Sequence, residues 1–207
     1  MTHPSGAVTA YGGGGGGASG NPFADPASGS GGGAGSDRNT PPSGESYTGD
    51  TAQKGSVPTP LTPFSTTYGN PGGNAYANPP YGGGGSQNGG GGGGGAGSAG
   101  TNAAPPATYG EGGDGQPFPA FAYPLVGLSP LDPYSPTNDH YGGGGAAGNN
   151  PGANGGAGGG GPNGGDPANP SVAGVDNLGG GAGAQRYPQK SVAVPGGSGI
   201  LIVRYLV

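Results

Sequence analysis

The chain has 207 residues, of which 59 are glycine and 25 proline, with ten acidic against five basic side chains and a formal charge of −5. Glycine and proline together far exceed the roughly 25–30% at which low-complexity chain replaces ordinary cores, yet charged residues are only 7%, too few for a self-repelling coil. The absence of any basic cluster argues against nucleic acid as a partner, and the absence of cysteine removes disulfides and thiolate metal sites.

Helices are not expected anywhere. Each interior glycine costs about 1 kcal/mol relative to alanine and each proline about 3, and no window keeps an apolar 3.6-residue period free of both. Residues 2–10 lack the basic region of a secretory signal, and glycine rather than an apolar core follows them. The most apolar stretch, around Ile200–Val203, is far shorter than the roughly 20 residues that cross a bilayer. Neither a signal nor membrane insertion is expected.

In chain order, Ala7–Tyr11 reads as a short opening strand and leads into Gly12–Gly17. Gly31–Gly35 follows. Gly32–Asp37 matches the start of a calcium-binding nonapeptide, but Asn39 stands where an apolar residue is required and no tandem copy follows, so no metal site is read there. Pro58–Pro63 reads as a stiff spacer, with docking into an aromatic groove as the alternative. Further runs occupy Gly82–Gly85, Gly89–Gly95, Gly142–Gly145 and Gly158–Gly161, separated by connectors rich in proline, asparagine and tyrosine.

A glycine run orders most economically as a polyproline II string, three residues per turn and about 3.1 Å per residue, with every N–H and C=O directed outward. Gly89–Gly95 would then span roughly 22 Å. Without a Cβ, neighbouring strings can approach and exchange main-chain hydrogen bonds on several sides. That exchange must offset the large entropy glycine loses on ordering. Alanine and serine within the runs are expected on outer faces. Proline, lacking a donor, is expected at run ends and the periphery.

The connector 116–134 is the most apolar interior stretch. Phe118, Phe121, Tyr123, Leu125 and Tyr134, with Tyr68 and Tyr76 of an earlier connector, are candidate receptor- or partner-contacting residues, since proline-held aromatics supply contact area at small entropic cost. The competing reading makes Phe118, Phe121, Tyr123, Leu125 and Leu128 a minor core over an open face. The tyrosines ahead of glycine runs (Tyr11, Tyr68, Tyr81, Tyr109 and Tyr141) read either as caps on the string ends or as sugar-stacking rings. Asp139-His140 has no second ligand nearby in sequence. No catalytic set and no cofactor site is read; the many Gly-x-Gly-x-x-Gly matches lack the strand and helix of a dinucleotide site.

At the C-terminal end, Ser191–Val194 and the β-branched stretch 199–207 read as strands joined through a turn at Pro195–Ser198. A lone strand is unstable in water, so the two ends are expected to pair. The expected architecture is therefore irregular, mainly β and coil with essentially no α-helix. It is a bundle of polyglycine II helices closed by a small β-sheet from the N- and C-terminal strands. One domain spans 1–207, divided into an opening strand (1–11), glycine runs alternating with loops (12–190) and a closing hairpin (191–207).

The opening Val8-Thr9-Ala10-Tyr11 into Gly12–Gly17, and the ending Gly196-Gly197-Ser198-Gly199-Ile200-Leu201-Ile202-Val203-Arg204-Tyr205, resemble the glycine-rich domains of bacteriophage tail fibres. They are similar in principle to polyglycine-sandwich adhesins. No fibre shaft is read in this chain. The resemblance implies a packed polyglycine core whose loops meet a host surface, with Ile200, Ile202, Arg204 and Tyr205 as a structural closing strand. It implies a non-enzymatic virion protein on the phage tail or particle surface. Its partners would be other virion proteins and a host cell-surface receptor or polysaccharide, and it would act as a homo-oligomer or docked on an oligomeric fibre. A capsid-decoration or tail-assembly subunit is the alternative. A flexible glycine-rich cell-wall or silk-like protein is a further one.

Overall fold

A computed structural model describes residues 15–16, 46–47, 68–76, 89–104, 108–128, 137–148, 153–162, 170–184, 194–200 and 202. Among these there is no α-helix and little strand, as glycine and proline content dictates. Most described residues are coil. β1 (Ser46–Tyr47) pairs antiparallel with β2 (Ala75–Tyr76), and β3 (Gln116–Pro117) pairs antiparallel with β4 (His140–Tyr141). Two short 3₁₀ helices, Pro119–Phe121 and Tyr123–Val126, complete the regular elements, each with a proline in its first turn. The second ends at Gly127, whose φ of 77° is open to glycine without strain.

What organises the coil is main-chain hydrogen bonding between segments distant in sequence, with a spacing of three residues. Gly110 and Gly113 donate to the carbonyls of Gly90 and Gly93. Asn70 and Gly73 donate to Gly95 and Gly92, and Gly144 and Ala147 donate to Gly113 and Gly110. Gly181 and Ala184 donate to Gly143 and Ala146. In a β-ladder the bonds to one neighbour recur every second residue; here they recur every third, and adjacent residues turn to different neighbours. Gly92 donates to Thr101 while Gly93 donates to Gly145. Parallel and antiparallel neighbours occur side by side, and in most neighbouring pairs one segment donates while the other accepts.

These bonds set a lateral order. Segment 98–104 lies on one flank, bonded to 68–74, 92 and 111. Next come 89–97 and 108–115, then 142–147 and 153–162, which doubles back through the turn at Gly158 and Gly159 (φ 95° and 89°). Segment 172–184 follows, and 194–199 forms the opposite flank, bonded to Gly174, Gly179 and Gly180.

At many positions the runs are glycine because the spacing leaves no room for a side chain. A Cβ at Gly92 would overlap the carbonyl of Glu111; at Gly144, that of Gly93; at Gly145, that of Ala182; at Gly180, that of Gly159. Proline does occupy the periphery: Pro71 and Pro195 are exposed and serve as acceptors, for Gly100 and Gly174.

Two expectations need correction. Alanine is not confined to outer faces: Ala146 and Ala147 are fully buried, and Ala157 and Ala184 nearly so. Ala146 and Ala147 bond to Gly161 and Gly110, so the missing side chain opposite leaves space for a methyl group. Ser98 and Ala99 do lie outside. Nor does Pro195–Ser198 form a hairpin turn; its Pro195 and Ser198 carbonyls and Gly197 N–H all bond to the neighbouring segment. Val194, Gly199, Ile200 and Ile202 belong to no strand. The rest of the predicted terminal sheet, Arg204 and Tyr205 included, lies outside the described residues.

Candidate functional site

The connector 116–128 folds against β4 and the residues just before it. Pairing of Gln116 with Tyr141 and Pro117 with His140 fixes its start. Phe118 N–H then donates to Asp139 O (2.9 Å) and Tyr123 N–H to Asn138 O (2.6 Å). Asn138 adopts φ 52°, a left-handed conformation that asparagine tolerates. It allows both carbonyls to face the connector.

Four rings form a continuous ladder on this framework. Tyr68 meets Phe118 edge-on at 5.6 Å between centroids, and Phe118 lies 6.2 Å from Tyr141. Tyr141 meets Tyr123 edge-on at 5.4 Å. Such geometry contributes about 0.5–1.5 kcal/mol per pair beyond area burial. Tyr123 is the innermost ring, fully buried, its hydroxyl donating to His140 O. The Tyr141 hydroxyl donates to Phe121 O. Burial, and secondarily the nearby Asp139 carboxylate, raise the Tyr141 phenol above its ordinary value of 10.0.

Exposure grades along the ladder. Phe118, Phe121 and Tyr141 are half-buried, Tyr68 is 39% exposed, and Leu125, on the outer side of the second 3₁₀ helix, is 73% exposed. The two readings of this connector thus divide by residue. Tyr123 is core, whereas Tyr68 and Leu125 present apolar surface to solvent. Tyr76 is the second residue of β2, and Tyr134 lies outside the described residues.

Beside the ladder, Asp139 is buried. Its carboxylate accepts from the Thr137 hydroxyl and lies 2.9 Å from His140 Nδ1. Among the described residues no three His, Cys, Asp or Glu side chains converge as metal ligands. Also among them, no helix is long and apolar enough to cross a membrane. The ladder therefore offers ring faces, amides and carbonyls.

Sequence reasoning found Phe118, Tyr123 and Tyr68 but kept Tyr141 apart as a string-end tyrosine, although it joins Phe118 to Tyr123. The available signal was its position: Tyr68 and Tyr141 both immediately precede glycine-containing segments that bond to 89–97. Leu178, almost fully buried, was also missed. It is the one leucine between Asp132 and Ile200, and a Cβ at Gly159 would meet it. No protein family, curated protein or solved structure matches the chain.

Proposed function

We propose that this chain is a non-enzymatic structural protein of a bacteriophage particle, a tail-fibre tip or adhesin whose loops attach to a host surface. In this reading the glycine segments form a bundle of polyglycine II helices within a single domain, and the bundle is the rigid support. One observation carries the reading: the aromatic ladder is mounted directly on that support. Tyr68 opens the 68–74 segment and Tyr141 opens 142–147, and both segments bond to 89–97. The three-residue spacing of the bonds is what polyproline II geometry requires.

A support of this kind suits display. Most of its hydrogen bonds are main chain to main chain, so many connector positions can change without altering it. The contact surface it presents is aromatic and amide in character, matching a chain with 7% charged residues. The partners would be fibre or tail subunits on one side and a cell-surface receptor or polysaccharide on the other. The resemblance of Gly196–Tyr205 to tail-fibre glycine domains supplies the virion context.

Particles carrying Tyr68→Ser and Leu125→Ser together should assemble normally and adsorb at least about tenfold more slowly, about 1.4 kcal/mol of binding free energy. Both side chains are exposed, so the support should survive. Unchanged adsorption by particles that contain the variant would overturn the assignment, as would absence of the chain from purified particles.

A further inference from the structure

Among the described residues, an acid or amide side chain stands directly before glycine at Asp114-Gly115 and at Asn154-Gly155. The fold treats the two pairs in opposite ways. At Asp114-Gly115 both groups that could react are occupied. Asp114 Oδ1 accepts from Ala157 N–H at 2.9 Å, and Gly115 N–H donates to Ala157 O at 2.6 Å. At Asn154-Gly155 both are idle. Asn154 is exposed, and its side-chain amide makes no hydrogen bond among the described residues. The Gly155 N–H makes none among them either, although the residue is buried.

No other described asparagine offers this combination. Asn70 precedes proline, which has no N–H, and its amide donates to the Gly95 and Ala96 carbonyls at 3.0 and 3.1 Å. Asn74, Asn102, Asn138 and Asn177 precede residues with a Cβ, which crowds the approach of the following nitrogen to the side-chain carbonyl. A buried N–H without a partner is costly to keep, and a reaction that consumes it removes that cost. Hydrogen bonding in the folded protein therefore does not oppose chemistry between Gly155 N and the Asn154 side chain.

We propose that Asn154 is a self-modifying site, where attack by the Gly155 nitrogen on the side-chain amide converts residue 154 to aspartate and isoaspartate. The bond from Gly155 N to Asn154 Cγ forms and the Cγ–Nδ2 bond breaks. Nδ2 leaves as ammonia with the Gly155 proton, and water then opens the cyclic imide. Opening at Cγ leaves aspartate in a normal main chain. Opening at the main-chain carbonyl carbon leaves isoaspartate, with the chain routed through Cβ and Cγ. In that product the carbonyl that accepts from Gly112 at 3.0 Å becomes a pendant carboxylate. The added carbon in the main chain displaces Ala157 from Asp114 and Gly115. Either product also adds a negative charge beside segment 111–114, which carries Glu111 and Asp114. The site is thus an irreversible ageing mark that loosens the contact between 112–115 and 154–157. This chemistry holds whether or not the protein attaches to a host surface.

The test is incubation of the full chain at mildly alkaline pH, native and in denaturant, with peptide mass mapping and enzymatic methyl labelling of isoaspartate. Asp114→Asn supplies a second amide before glycine in the same molecule. In the native protein residue 154 should convert within about tenfold of its denatured rate, and position 114 at least about tenfold more slowly than 154, since it reacts only after local opening. In denaturant the two positions should convert alike. Equal native rates at 114 and 154, in a variant whose Gly144 amide stays protected from exchange, would overturn the proposal. So would an Asn154 that survives in native wild type while the denatured chain converts, a comparison that needs no substitution. Aged wild type should lose exchange protection at Gly112 and Gly115, whereas Asn154→Gln incubated alongside should keep it. Unchanged protection in isoaspartate-containing protein would overturn the loosening.

Discussion

At the scale of a residue, the value of each glycine depends on what lies beyond its missing side chain. Gly144 faces the carbonyl of Gly93, and a methyl there would overlap it. That carbonyl is fixed by a hydrogen bond from Gly113, so it cannot retreat without breaking a second contact. Gly144→Ala should therefore destabilise the fold by about 1–3 kcal/mol, the usual cost of overpacking. Gly199 meets nothing within 4 Å, so Gly199→Ala should leave the monomer unchanged or stabilise it by up to about 1 kcal/mol through the unfolded chain. Thermal melts of the two variants at a concentration where the protein is monomeric check the contrast. Equal melting temperatures would sink it. Sequence reading can say that a run is glycine but not which glycines face a carbonyl. That information lies in the registration of segments far apart in the chain, and it is also why the burial of Ala146 and Ala147 was illegible.

At the scale of the element, short polar side chains fasten segments that have little apolar area. Ser198 N–H donates to Asp176 Oδ1 at 3.0 Å, and Asn177 N–H donates to Ser198 Oγ at 3.0 Å. The reciprocal pair ties the 194–199 segment to the turn at 176–179. The bond from the Ser198 main chain, followed by one from its hydroxyl, holds the Asp176 carboxyl below its ordinary value of 3.8, against a small opposing effect of burial. A carboxyl lowered in the folded state adds stability above its unfolded value and loses it as pH falls through the folded one. The Ser198 amide should therefore lose protection from exchange below the ordinary carboxylate range. In Asp176→Ala it should exchange fast already at neutral pH. Equal protection in wild type and variant would show that Asp176 does not hold the flank.

The connector 116–128 was more legible than the flanks. Its proline-spaced aromatics marked it as the most apolar connector, and Tyr68, Phe118 and Tyr123 do meet through Tyr141. The partner segment 137–141 was not legible. Pairing of β3 with β4 over two residues on each strand leaves no alternation to read.

At the scale of the whole molecule, the absence of α-helix among the described residues followed directly from composition, whereas the order of segments did not. Identical glycine runs carry no address. Their neighbours are chosen by connector length and by rare anchors such as Leu178 and Asp114, whose carboxylate accepts from Ala157 N–H at 2.9 Å.

The three-residue spacing has a consequence for how such a chain can change length. In the polyglycine II support proposed above, removing Gly93–Gly95 from the 89–95 run takes out a whole turn, and every later group keeps its compass direction. Removing Gly94 alone rotates everything after it by roughly 120°, so donors swing to where no acceptor waits. The larger deletion should therefore melt higher than the smaller one, and the reverse ranking would contradict the triplet phase. Insertions and losses in this chain then obey a frame, counted in amino acids rather than nucleotides. Its glycine tracts can lengthen by triplets over evolutionary time while the connectors between them keep their orientation.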